Sequence, residues 1–194
     1  MIERSATYIW KMGEYNIVPP DNIGLRFVGG SPVGIGSGTY GGWGPDQAPP
    51  FYVYGAEDVR VQGATDLAAY IGVAYHSYDF ANAKLQKVTV IYPPAELVIF
   101  QGWSAYYRQT QWAEEMVPFG TNSDDIVAPF DTTATYTPGA ILTVASVTGP
   151  DGNDYAVWTP TTDAGTYPAK VINVADVGGR TFLRILLGTF VISS

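Results

Sequence analysis

The chain has 194 residues, 46% of them hydrophobic, which is enough for one sizeable core or two small ones and too many for a disordered segment. Only 14% are charged, and 10 Lys and Arg against 18 Asp and Glu leave a net charge of −8 with the cations scattered singly; phosphate backbones and anionic membranes call for clustered cations, so neither nucleic acid nor a membrane is an expected partner. Cysteine is absent, which excludes disulfides, thiolate nucleophiles and thiolate metal sites.

From the N-terminus, Met1–Ser5 lacks the basic and apolar regions of a secretory signal. Residues 1–50 then read as an arm or long loop. Pro19-Pro20 is followed by a run from Gly29 to Pro45 crowded with glycine, and Pro49-Pro50 closes the region. Glycine makes ordering costly in entropy and proline removes ladder donors, so a helix or a central strand is not expected here. Simple linkers rarely carry Ile35, Tyr40 and Trp43 among their glycines. These residues, with Trp10 near the start, are candidate anchors for a partner against which the arm becomes ordered.

Residues 51–194 read as a β domain. Short apolar runs end at Pro or Gly: Phe51–Tyr54 at Gly55, Val88–Tyr92 at Pro93-Pro94, and Glu96–Phe100 at Gln101-Gly102. Two stretches, Val59–Phe100 and Tyr136–Leu187, share an order of features that either a single β domain or a division near 118–130 into two similar β units accounts for. Between them, Ser104–Met116 suits a helix or an edge strand. In the second stretch, Gly149–Asp154 reads as a hairpin tip built on Asp151-Gly152, and Thr159–Gly165 as a second loop. The longest apolar run, Phe182–Ile192, is interrupted by Arg184 and falls short of a membrane span. The fold class expected is all-β, a barrel or sandwich of short strands with an extended Gly/Pro-rich N-terminal arm.

No motif assigns catalysis, a cofactor or a metal. Gly36-Ser37-Gly38-Thr39-Tyr40-Gly41 matches the letters of the dinucleotide fingerprint, but Gly42-Trp43-Gly44-Pro45 follows where a helix would be needed. The sole histidine, His76, lies beside Ser77 and Asp79, too close in sequence to form a triad, and no nucleophile elbow is present. Acidic pairs at Glu57-Asp58, Glu114-Glu115 and Asp124-Asp125 and the turn Asp151–Asp154 read as solvated; the turn lacks the downstream ligands of a calcium loop. The tryptophans at 10, 43, 103, 112 and 158 suit a core or interface better than a sugar-stacking face.

The order Gly63-Ala64, Ile71-Gly72-Val73-Ala74, Val88-Thr89-Val90, with Gly139-Ala140 and Leu183–Leu187 in the second half, resembles the capsid decoration (cement) proteins of tailed bacteriophages. The resemblance covers about two-thirds of the chain through short motifs, and the Gly-rich arm and Ser104–Met116 lie outside it. It implies a non-enzymatic β-protein on the exterior of an icosahedral virion, made in the host cytoplasm. Such a protein binds the major capsid protein, bridges capsomers against internal DNA pressure, and is often a homo-oligomer, a trimer. Low charge and abundant aromatics agree with large permanent contacts, and an arm suits reaching a neighbour. The alternative is a carbohydrate-binding or adhesion module using surface aromatics; a glycan-degrading enzyme lacks its catalytic constellation.

Overall fold

The computed structural model describes residues 2–4, 10–18, 24–36, 60–75, 87–100, 127–177 and 179–193. These form eleven strands and no helix: β1 (Ile2–Arg4), β2 (Lys11–Ile17), β3 (Pro32–Ile35), β4 (Arg60–Gly63), β5 (Tyr70–Ala74), β6 (Lys87–Tyr92), β7 (Ala95–Phe100), β8 (Ile141–Thr148), β9 (Asp154–Thr161), β10 (Gly165–Val177) and β11 (Arg180–Ile192). Five close into a barrel in the order β2-β4-β3-β5-β6, and six form a sheet in the order β1-β7-β11-β10-β8-β9. The all-β class expected from the strand-length apolar runs is the observed one.

The barrel is filled by Ile17, Phe27, Val33, Val61, Ala74, Val88 and Val90, with Tyr15, Ile71 and Tyr92 packed against them. Alternation explains the β6 positions: Val88 and Val90 point inward, while Ile91 points out of the barrel into a second cluster. That second cluster joins Val73 and Ile91 to Leu97 and Ile99 of β7, Leu142, Trp158, Val171, and Leu183, Ile185 and Leu187 of β11. On β6 the alternation holds from Lys87 to Val90, and the adjacent buried residues Val90 and Ile91 then serve one core each.

The segment between β2 and β3 knits the two units. Leu25 carbonyl accepts from Gly63 N–H (2.9 Å), Gly30 N–H donates to Ala74 carbonyl (2.9 Å), and Trp158 Nε1–H donates to Gly30 carbonyl (2.9 Å). The same segment closes the outer edge of β9: Arg26 N–H donates to Asp154 carbonyl and Ala156 N–H to Arg26 carbonyl, both at 2.8 Å. Further along, Trp158 N–H donates to Pro129 carbonyl (3.0 Å) and Asp131 N–H to Trp158 carbonyl (2.9 Å). Pro160, next on that edge, has no N–H to satisfy, so a potentially aggregating edge is sealed.

Three expectations are corrected. Residues 1–50 are not an arm throughout, because β1, β2 and β3 lie there, and β3 is a central barrel strand between β4 and β5. Pro32 is tolerated as the first residue of β3, and Gly34 lets the Ala69 carbonyl approach where a Cβ would overlap it. By sheet membership β2–β6 form the barrel and β7–β11, joined by β1, the sheet, the change falling at Pro93-Pro94; most of the junction expected near 118–130 lies outside the described residues. These two units are not alike: the barrel contains a parallel pair, β2 with β4, whereas every strand pair of the six-stranded sheet is antiparallel. The Asp151-Gly152 hairpin tip is found between β8 and β9, Gly152 adopting φ +76° as the turn requires. The loop expected at Thr159–Gly165 is shorter, since β9 continues to Thr161 and β10 starts at Gly165. Ser104–Met116 lies outside the described residues.

Candidate partner-binding surface

Of the four candidate anchors, Ile35 and Trp10 are described, and Tyr40 and Trp43 lie outside the described residues. Ile35 ends β3 and is 46% exposed, unusual for an isoleucine in a strand. Its backbone is held: Ile35 N–H donates to Ala69 carbonyl (3.0 Å) and Gly36 N–H to Arg60 carbonyl (2.9 Å). Leu67, in the turn that carries Ala69, is 37% exposed, and Asp66 Oδ1 fixes that turn by accepting from Ala69 N–H (2.8 Å). The end of β3 therefore presents apolar side chains on a rigid backbone at the root of the Gly/Pro-rich stretch.

Trp10 is placed differently. Its indole N–H donates to the Glu96 carbonyl (3.1 Å), and its ring meets Tyr75 edge-on (centroids 5.9 Å, 73°), packed against the cluster shared by barrel and sheet. It anchors the start of β2 to β7, and is brought together with neither Ile35 nor Leu67 in the contacts described.

The sequence does not single out the other exposed large apolar side chains: Met12 (53%), Ile172 (39%) and Val191 (69%). Alternation in β2 signals which face Met12 takes, whereas Val191 sits where β11 outruns its neighbour β7, which periodicity does not reveal.

The polar groups form structural clusters. Asp151, at the β8–β9 tip, accepts from Asn153 N–H (3.1 Å) and Asn153 Nδ2 (2.8 Å), from Tyr155 hydroxyl (3.0 Å), and from Arg26 Nη1 (3.3 Å). Partial burial raises its pKa, but the Asn153 and Tyr155 hydrogen bonds and the Arg26 charge outweigh that and hold the carboxyl below its ordinary range. Asp154 Oδ1 instead accepts from Thr148 hydroxyl (2.8 Å). The buried Glu96 is paired with Arg184 of β11. Tyr15 and Tyr92 share a short hydroxyl–hydroxyl bond at the barrel wall, in space left by Gly13; burial and that bond push Tyr92 up to about 12.

Among the described residues no group of three His, Asp or Glu side chains is placed to hold a metal ion, and no helix is long and apolar enough to cross a membrane. His76, Ser77, Asp79 and the acidic pairs at 57–58, 114–115 and 124–125 lie outside the described residues, as do Trp103 and Trp112. Trp158 is fully buried, so it does not contribute to a surface aromatic platform. Compared with known protein families, with curated proteins and with solved structures, the chain matches none.

Proposed function

We propose that the chain is a non-enzymatic decoration protein that attaches to the outside of an icosahedral capsid and bridges major capsid protein subunits, with the end of β3 as part of the attachment surface. The observation that carries this reading is Ile35: a 46% exposed isoleucine on a strand held on both sides, hydrogen-bonded through its N–H to the turn that carries the 37% exposed Leu67, in the aromatic Gly/Pro-rich stretch. Rigid apolar anchors lose little side-chain freedom on binding, and a body of this kind bridges subunits without deforming. Low overall charge (14%) agrees with large permanent contacts.

The test is attachment to undecorated capsids. Ile35→Lys and Leu67→Lys are both expected to weaken attachment at least tenfold without lowering the melting temperature, and deletion of Ser37–Ala48, which spares β3, is expected to weaken it further. Wild-type attachment by all three variants sinks the reading. A specific hit on a glycan array, lost in the same variants, replaces it with the adhesion reading.

A further inference from the structure

Asp151-Gly152 is the one place in the chain where Asp or Asn precedes Gly. It lies at the exposed tip of the β8–β9 hairpin, where Gly152 adopts φ +76° and a Cβ built on it would meet nothing within 4 Å. A side chain on the following residue ordinarily obstructs a backbone nitrogen from reaching the carboxyl before it. Here that obstruction is absent, and water has access for a hydrolysis.

The reaction open to such a pair is an isomerisation that needs no reagent but water. The Gly152 nitrogen gives up its proton and bonds to Asp151 Cγ, and one carboxyl oxygen leaves as water, closing a five-membered succinimide. Water then opens the ring at either carbonyl. Attack at Cγ restores aspartate, whereas attack at the Asp151 backbone carbonyl leaves the chain running through Cβ and Cγ as isoaspartate, with no change of mass. Only the neutral carboxyl closes the ring readily, because a carboxylate would have to expel oxide.

The native tip holds both reacting groups. Gly152 N–H donates to Gly149 carbonyl (3.0 Å). Asp151 Oδ1 accepts from Asn153 N–H (3.1 Å), and Oδ2 accepts from Asn153 Nδ2 (2.8 Å), Tyr155 hydroxyl (3.0 Å) and Arg26 Nη1 (3.3 Å). Among the described residues, the titratable and charged groups facing this carboxyl are thus Tyr155 of β9 and Arg26 of the segment before β3; Asp154 turns to the Thr148 hydroxyl instead. Partial burial favours the neutral acid, but the Asn153 and Tyr155 bonds and the Arg26 charge outweigh it and keep the carboxyl ionised. We propose that Asp151-Gly152 is a latent self-modification site that converts to isoaspartate when its carboxyl is released, with Tyr155 and Arg26 as the brake in the folded chain. The product lengthens the turn by one backbone atom and moves the carboxylate away from the donors that held it, loosening the side-chain clamp on Arg26 beside the β9 edge.

The test is to incubate the purified chain at mildly acidic pH and count isoaspartate with a protein-isoaspartate methyltransferase, reading the site by electron-transfer fragmentation of the peptide that spans Asp151. No capsid enters, so the outcome is independent of the attachment reading. Unfolded in urea, the wild type is expected to form isoaspartate at Asp151 at least tenfold faster than when folded. In the folded state Tyr155→Phe and Arg26→Gln are each expected to speed it at least threefold. Thr148→Val, which removes the Asp154 bond on the same hairpin and leaves the donors to Asp151 in place, is expected to leave the rate alone. Melting curves separate release of the carboxyl from global unfolding, and if Arg26→Gln unfolds, Tyr155→Phe, which keeps the ring, decides. Equal rates in folded and unfolded wild type, or a folded Tyr155→Phe that isomerises like wild type, overturns the proposal. So does a Thr148→Val variant as fast as Tyr155→Phe, since looseness of the hairpin rather than the partners of the carboxyl would then set the rate. Isoaspartate forming faster at another aspartate of the unfolded chain overturns it as well.

Discussion

Single side chains in this molecule show opposite relations to the water they gave up. The hydroxyl of Tyr70 is buried without a hydrogen-bond partner among the described residues, its ring edge-on to Trp158 (5.7 Å, 67°), and burial pushes its ionisation upward. An unsatisfied buried hydroxyl costs about 1–3 kcal/mol. Tyr70→Phe, which keeps the ring, is therefore expected to stabilise the fold by about 1 kcal/mol in urea unfolding; a lower midpoint would mean that the hydroxyl is satisfied in solution. Asp151 is the reverse case. Its folded pKa is depressed, so its contribution is present above the unfolded pKa and is lost as pH falls through the folded value, on the acid side of about pH 4. With its side chain 39% exposed, solvent screening keeps the Arg26 pair small, about 0.5 kcal/mol. Asp151→Asn is expected to lower stability by about 0.5–1 kcal/mol at pH 7 and to flatten the loss on the acid side of about pH 4. An unchanged acid limb would show that other carboxyls carry it.

At the scale of elements, close backbone approach decides what fits. A Cβ at Gly63, the last residue of β4, would overlap the Arg26 carbonyl that Ala156 N–H also uses, and would crowd Ala156 Cβ. Gly63→Ala is expected to destabilise by about 2 kcal/mol or more and to speed amide exchange at Ala156, because the β9 edge seal is forced apart. Unchanged exchange at Ala156 would contradict that account. The legible elements are those whose pattern is local. Val88 and Val90 alternate with Thr89, Asp151-Gly152 announces a tight hairpin, and Leu183 and Ile185 flank Arg184. β3 is not legible, because Pro32 and Gly34 carry the signature of a loop and become a strand only where β4 and β5 supply partners on both sides. The change of sheet at Pro93-Pro94 is hidden for a related reason: β6 belongs to the barrel by its ladder yet contributes Ile91 to the sheet's core, and an apolar run does not say which core it serves. Of the candidate site, Ile35 is legible as an apolar residue among glycines. Leu67 is not, since only the hydrogen bond from Ile35 N–H to the Ala69 carbonyl ties its turn to the end of β3.

For the whole molecule, the decisive feature is that barrel and sheet share apolar contacts rather than merely adjoin. Val73 and Ile91 of the barrel lie in the same cluster as Leu97 of β7, Leu142 of β8, and Leu183, Ile185 and Leu187 of β11, and Trp158 of β9 joins them at the seam. Trp158 is fully buried, donates its indole N–H to Gly30 carbonyl at 2.9 Å, and touches Tyr70 of β5. A five-stranded barrel of this size has little interior of its own, so its stability depends on the face it shares with the sheet. Barrel and sheet are therefore expected to unfold together, in one transition seen alike by far-UV circular dichroism and by tryptophan fluorescence. Trp158→Phe tests the coupling. It removes the donor to the buried Gly30 carbonyl and opens space at the seam, for an expected loss of about 2–4 kcal/mol. Because the seam belongs to both units, the variant should still unfold in a single transition, shifted to lower denaturant with an unchanged slope. Two separated transitions, one of them at the wild-type midpoint, would show that one unit stands without the other.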